Sequence, residues 1–198
     1  MPLNTNLNSI RAKIPQHVKL LVAGKYATAD QLLQLIKSGQ KLIGENRAQD
    51  LLKKYASIGN QAEWHFIGHL QRNKVKQIVP IISMLHSLDN VRLADELEKQ
   101  LAKINKVLPV LIEVNIAGEI TQSGVALRHL DQLVKHCRLL PHLQLTGLMT
   151  MNRSHFRTLR QLAKNYRLSE LSMGTSQDYE EAIAAGSTII RLGRIVFS

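Results

Sequence analysis

Val18-Lys19-Leu20-Leu21-Val22-Ala23-Gly24 is a short apolar run of branched aliphatics that stops at a glycine, the pattern of a buried strand. Lys25 follows it, and a polar stretch, Tyr26-Ala27-Thr28, begins there. A lysine at the mouth of such a strand has its amine held by a rigid element beside apolar walls. Burial there would disfavour the ammonium and leave the amine free to attack an aldehyde. Taken alone, a lysine that ends a strand is more often a solvated surface residue. Its weight depends on what the rest of the chain brings near it.

Outward from this run the pattern alternates. Strand-like segments lie at 18–24, 41–45, 63–69, 84–89, 107–115, 143–151, 168–174 and 188–197. Helix-like segments lie between them at 29–38, 46–55, 72–79, 90–105, 128–139, 157–166 and 177–185. In 90–105, for example, Leu93, Leu97, Leu101 and Ile104 recur at helical spacing. Gly39, Gly59 and Gly186 stand where helices should end. Strands alternating with helices imply parallel pairing through crossover helices. Eight such units fit a single-domain α/β fold, the closed (β/α)8 TIM barrel. The alternative is an open doubly wound sheet, but no Gly-x-Gly-x-x-Gly follows the first strand. The expected division is an N-terminal segment, 1–17, with a short helix, and a barrel at 18–198.

Composition sets bounds on the class. The chain has 198 residues, 44% hydrophobic and 21% charged, which suits one globular core. It has no apolar run of the ~20 residues a bilayer span needs, and no secretory signal pattern in Met1-Pro2-Leu3-Asn4-Thr5-Asn6. A cytoplasmic protein is expected. Cys137 is the single cysteine, in a helix-like segment, and is expected to be a buried small apolar residue rather than a nucleophile. Lys and Arg number 26 against 15 Asp and Glu, a net charge of +11, which favours phosphates or other anions as partners.

In a (β/α)8 barrel the functional groups gather at the C-terminal ends of the strands. Those ends offer Lys25, Asn46, His69, Ser87 with Asn90, Asn115, Met149 with Thr150, Ser172 and Arg191. Two segments resemble phosphate ligands. Ser172-Met173-Gly174-Thr175-Ser176-Gln177-Asp178 opens a helix with hydroxyls and free N–H groups. Arg191-Leu192-Gly193-Arg194 follows the last strand. Barrels frequently build a phosphate site from the loops after strands seven and eight. His65 and His69 have His-x-x-x-His spacing, which serves metals on a helix. Their surroundings have strand character, so no metal is expected. Arg157, Arg160, Lys164 and Arg167 form a basic stripe at helical spacing. It is expected to be a solvated outer helix face rather than a nucleic-acid contact.

The blocks Ile43-Gly44-Glu45-Asn46-Arg47-Ala48-Gln49, Trp64-His65-Phe66-Ile67-Gly68-His69-Leu70-Gln71-Arg72-Asn73-Lys74, Leu171-Ser172-Met173-Gly174 and Arg191-Leu192-Gly193 occur in an ordered series. So do Val114-Asn115 with Gly124-Val125, and Gly147-Leu148-Met149. In these the chain resembles the YggS/PROSC family of pyridoxal 5′-phosphate (PLP) binding proteins, also called PLP homeostasis proteins. The resemblance implies a barrel like the N-terminal domain of bacterial alanine racemase, with PLP held on Lys25 as an internal aldimine. It implies that Ser176, Arg191 and Gly193 hold the cofactor's phosphate and ring, and that Asn46, Met149 and Ser172 line the same cavity. Arg194 stands where a threonine often helps bind the phosphate, and Thr175 where a second methionine is common. The short segment before the first strand suggests a leading helix trimmed to 9–14.

The function this implies is a PLP carrier in vitamin B6 and amino-acid homeostasis, without established turnover. PLP-dependent apoenzymes are the candidate recipients, and a monomer or weak dimer is expected. The alternative is a PLP-dependent racemase-like enzyme. That chemistry wants a second acid/base group facing Lys25. Tyr26 adjoins Lys25 and is expected to point elsewhere.

Overall fold

The computed structural model describes residues 3–119 and 121–197. Eight parallel strands form where the sequence placed them, each within its window: β1 (Lys19–Ala23), β2 (Leu42–Glu45), β3 (Glu63–Phe66), β4 (Met84–Leu88), β5 (Leu108–Asn115), β6 (Leu143–Met149), β7 (Glu170–Ser172) and β8 (Ile189–Leu192). Each pairs with the next in chain order, and β1 pairs with β8 through Leu20↔Ile190 and Val22↔Leu192. The sheet is therefore a closed barrel. The β4–β5 pairing, Leu85↔Val110 and Leu88↔Ile112, carries a register shift. A further two-residue strand, Val125–Ala126, pairs beside the end of β5 and was not foreseen.

The helices are α1 (Leu3–Arg11), α2 (Ala29–Lys37), α3 (Ala48–Ile58), α4 (Val75–Ile78), α5 (Val91–Lys103), α6 (Leu127–Cys137), α7 (Phe156–Asn165), α8 (Tyr179–Ala184) and α9 (Arg194–Phe197). Their starts have local causes. Thr28 Oγ1 accepts from the Gln31 N–H while Gln31 Oε1 accepts from the Thr28 N–H, a reciprocal cap that opens α2. Asn90 Oδ1 accepts the Leu93 N–H at the start of α5. Gly39, Gly59 and Gly186 all have positive φ, 88°, 60° and 99°, so they end helices as expected.

Two expectations at the termini are corrected. The leading helix runs over Leu3–Arg11 rather than 9–14, because Leu7 and Ile10 enter the core from one face and Pro15 disfavours helix at Ile14. The last strand stops at Leu192, and Arg194–Phe197 is a helical turn. Asn6 Nδ2 donates to the Ile195 carbonyl at 2.7 Å, which ties α1 to α9.

Strand alternation divides the core into two layers. Side chains such as Val22, Ile43, Trp64 and Ile190 face the helices. Leu21, Ala23, Met84, Leu111, Met149 and Ile189 pack together inside the barrel. Cys137 is fully buried in the outer layer, and burial pushes its thiol up to about 12. A thiol-directed reagent at pH ~9 should therefore leave the native protein unmodified and label Cys137 only on unfolding. Rapid labelling of the native chain would contradict this burial.

Candidate functional site: a cationic cavity at the strand ends

A cavity of about 560 Å³ opens at the C-terminal end of the barrel. Lys25, Asn46, Ser176, Arg191, Gly193 and Arg194 line it, so six of the eight residues assigned to the cofactor meet there. Met149 and Ser172 do not line it. Both lie in the barrel interior, and Ser172 touches Arg191 instead. The other strand-end groups brace loops. Ser87 Oγ donates to the Gly68 carbonyl, and Asn115 Nδ2 donates to the carbonyls of Glu119 and Gln122. Asn90 caps α5, and His69 pairs with Asp89 at 3.3 Å. His65 lies inside the barrel, bonded to His86 and Glu63, and shares no site with the exposed His69.

Lys25 sits in the one-turn 3-10 segment Gly24–Tyr26, past the end of β1. Its side chain is exposed, not buried as expected, because that turn carries it off the strand onto the cavity rim. What holds the turn is a buried ion pair beneath it. Lys54 on α3 donates to Glu45 Oε1 and to the Gly24 carbonyl, both at 2.6 Å. Glu45 is fully buried, and its Oε2 has no hydrogen-bond partner among the described residues. Burial raises its carboxyl above the ordinary range despite the Lys54 ammonium. A Cβ at Gly24 would fall 2.3 Å from Glu45 Oε1, an atom that Lys54 keeps in place. Gly24→Ala is expected to cost about 1–3 kcal/mol by overpacking. A thermal melt would show it, and an unchanged melting temperature would count against the clamp.

Tyr26 does not point elsewhere. It is part of the cavity wall, its ring centroid 4.9 Å from Lys25 Nζ and 5.4 Å from Arg194 Cζ. Arg194 first, and Lys25 after it, hold the Tyr26 phenol below its usual range. The adjacency of Tyr26 to Lys25 hid this, since consecutive residues of an extended strand face opposite ways but those of a tight turn need not.

Arg191 forms the cavity floor. Its Nη1 donates to Ser172 Oγ at 2.5 Å and its Nη2 to the Thr150 carbonyl at 3.0 Å. Burial pulls its guanidinium down to about 10, so it stays cationic at neutral pH. On the wall formed by the loops after β7 and β8, the Gly193 N–H makes a long 3.3 Å bond to Ser176 Oγ. Thr175 turns inward, donating to Asp178 Oδ1 through its N–H and its hydroxyl. Among the described residues the lining thus carries three cationic side chains, Lys25, Arg191 and Arg194, and no acid. Asn46 Oδ1, past the end of β2, is buried with no hydrogen-bond partner among the described residues. Met151, Ile67 and Tyr26 supply the apolar surface. Such a lining suits an anion that also carries an apolar body.

The sequence profile of the alanine racemase N-terminal domain family matches residues 2–198. A pyridoxal phosphate homeostasis protein of Aquifex aeolicus is 42% identical over 195 residues, covering 90% of this chain and 86% of that protein. The chain belongs to the pyridoxal phosphate homeostasis family. The Escherichia coli K12 member of this family is 34% identical over 220 residues, covering 97% of this chain and 94% of its own. Among solved structures, PipY of Synechococcus elongatus without PLP superposes with a TM-score of 0.94 at 28% identity, over 99% of this chain and 100% of PipY. PipY with PLP bound gives 0.89 at 29% identity, over the same shares. Alanine racemase of Corynebacterium glutamicum shares the fold at 17% identity and a TM-score of 0.74, and this chain spans 58% of that enzyme.

Proposed function

We propose that the cavity holds PLP covalently on Lys25 and that the protein serves as a carrier of this cofactor rather than as an enzyme. The observation that carries the reading is the layout of one cavity. A primary amine stands on one rim, and Ser176, Gly193 and Arg194 stand on the wall built by the loops after β7 and β8. An aldehyde that also bears a phosphate can engage both. When bound, PLP supplies an electrophilic aldehyde that any primary amine can take over.

The protein's own groups have distinct tasks. The Lys25 amine would hold the cofactor through its aldehyde, with loss of one water and no need of an oxidant or reductant. A second primary amine could displace Lys25 and carry the cofactor away, which leaves the lysine as the free amine. Arg194, Ser176 and the Gly193 N–H receive the phosphate. Arg191, a donor only, would hold the ring side of the molecule, and Asn46 Oδ1 would offer an acceptor to a donor on it. Tyr26 covers Lys25 from the same turn, not from across the cavity as a second acid/base partner would. Apoenzymes that need PLP are the fitting recipients for such a carrier.

Titration of the purified protein with PLP should raise an absorbance band at ~420 nm, as a lysine imine of this aldehyde does. Borohydride should remove the band and leave the mass adduct on Lys25. A colourless protein at saturating PLP, or an adduct spread over surface lysines, would end the proposal.

A further inference from the structure

The inside of a barrel of this kind is ordinarily filled by layers of branched aliphatic side chains. Here a column of polar groups runs through it. Arg191 Nη1 donates to Ser172 Oγ at 2.5 Å. Ser172 Oγ is 2.9 Å from His86 Nδ1. His86 Nε2 is 2.8 Å from His65 Nδ1. His65 Nε2 is 3.3 Å from Glu63 Oε1. Arg191, Ser172, His86 and His65 are all buried, while the Glu63 side chain is 55% exposed. Arg191 lies in the floor of the cofactor cavity, and Glu63 begins β3 at the opposite end of the barrel.

The Glu63 end and the Ser172 proton together set the direction of the bonds between them. Arginine has no acceptor, and an ionised carboxylate has no donor. Ser172 Oγ therefore accepts from Arg191, and its own proton goes to His86 Nδ1. His86 carries its proton on Nε2 and donates it to His65 Nδ1. His65 in turn carries its proton on Nε2 and donates it to Glu63. Both rings are then neutral and in the same tautomer. Burial first holds His86 well below the ordinary imidazole range, in keeping with a neutral ring. The bond from His65 is the foremost cause that holds Glu63 below its usual range. The opposite sense would leave the Ser172 proton without an acceptor in the column and turn a bare His65 Nε2 toward a carboxylate.

We propose that His86 and His65 are positioning residues for Arg191: a one-way chain of hydrogen bonds anchored on Glu63 draws the Ser172 proton to His86, away from Arg191, and so aims the guanidinium at the cavity. Glu170, the other acid at that end, is already engaged by Lys19 at 2.7 Å and by the Thr188 hydroxyl at 2.7 Å. Glu63 is thus the terminal acceptor of the column. The effect on cofactor binding rests on the reading that the cavity takes PLP, but the direction of the chain does not.

The test has two arms. In the first, the PLP-free protein is labelled with 15N-histidine, and long-range 15N–1H spectra are recorded at neutral pH. His65 and His86 should both show a protonated Nε2 and a bare Nδ1. A protonated Nδ1 at either ring would overturn the proposal. The second arm uses Glu63, because a largely exposed residue can be changed without unfolding the barrel. Glu63→Lys replaces the terminal acceptor by a donor. It should invert the tautomers of His65 and His86 and weaken PLP binding by roughly three- to tenfold, the scale of one misdirected buried hydrogen bond. The added positive charge alone would favour an anionic ligand, so a loss of affinity cannot come from net charge. Glu63→Gln keeps a carbonyl acceptor and should keep both the wild-type tautomers and the wild-type affinity. Unaltered PLP affinity in a Glu63→Lys protein that binds PLP would defeat the positioning role. If the wild-type protein bound no PLP, the reading of the cavity would fall while the first arm still decided the column.

Discussion

Lys25→Ala is expected to abolish the borohydride-trappable adduct entirely. Retention of PLP should fall about a hundredfold, equivalent to ~2.7 kcal/mol, because only the grip on phosphate and ring remains. The fold should not suffer. Lys25 is exposed in a turn, and its described side-chain contact is with Tyr26 beside it. Substitutions of that kind stay within about 0.5 kcal/mol of the parent. Gel filtration of PLP-loaded protein, followed by reduction and mass analysis, separates the two effects. Arg194→Ala provides the converse case, with weakened binding but the adduct still formed on Lys25. A Lys25→Ala protein that kept a reducible adduct at full occupancy would show that another amine carries the cofactor.

Trp64→Ala is expected to cost about 3–5 kcal/mol, the range for truncating a buried tryptophan. Trp64 is 1% exposed and among the largest fully buried side chains of the outer layer. Its Nε1–H donates to the Gly59 carbonyl at 2.9 Å, which fastens the end of α3 to β3. A domain of this size has only about 5–15 kcal/mol in total. The variant should therefore melt far below the parent. The damage reaches the site, because β3 carries His65 and leads into Ile67 of the cavity wall. The chain has one tryptophan, so unfolding must be followed by circular dichroism in urea rather than by its fluorescence. A shift in stability below ~1 kcal/mol would mean that the helix layer had closed over the gap.

The fold was legible because its elements are written in local patterns. Each apolar run of β-branched and aliphatic residues became a strand, and each 3.6-period segment between runs became a helix. Glycines at positive φ marked the helix ends. The failures were at places where the local pattern is silent. Residues 194–197 keep the apolar character of a strand, yet they turn helical against α1, a partner more than 180 residues away in sequence. The basic stripe was legible as a solvated face. Arg157, Arg160 and Lys164 are exposed on α7, while Arg167 lies beyond the helix at φ 56°.

The candidate site was legible in outline. Six of eight assigned residues line one cavity, since strand ends in a parallel barrel all open on the same side. Which side chains face that opening was not legible. Ser87 and Asn115 end strands as Asn46 does, but they brace loops. Tyr26 was set aside and stands in the wall. His86 was passed over, although strict alternation places Met84 and His86 on the same face of β4.

By itself, then, the sequence determined the order of strands and helices, the amine after the first strand, and the hydroxyl- and arginine-bearing loops after the last two. Those depend on period, punctuation and residue chemistry within a few positions of one another. Only the tertiary structure decided that Lys25 is exposed on a rim, that Glu45 and Lys54 clamp its turn, and that a line of polar groups crosses the barrel. These depend on how far each strand slides against its neighbour when the sheet closes. That stagger sets His86 and Ser172, 86 residues apart, at hydrogen-bond distance, and no local pattern encodes it.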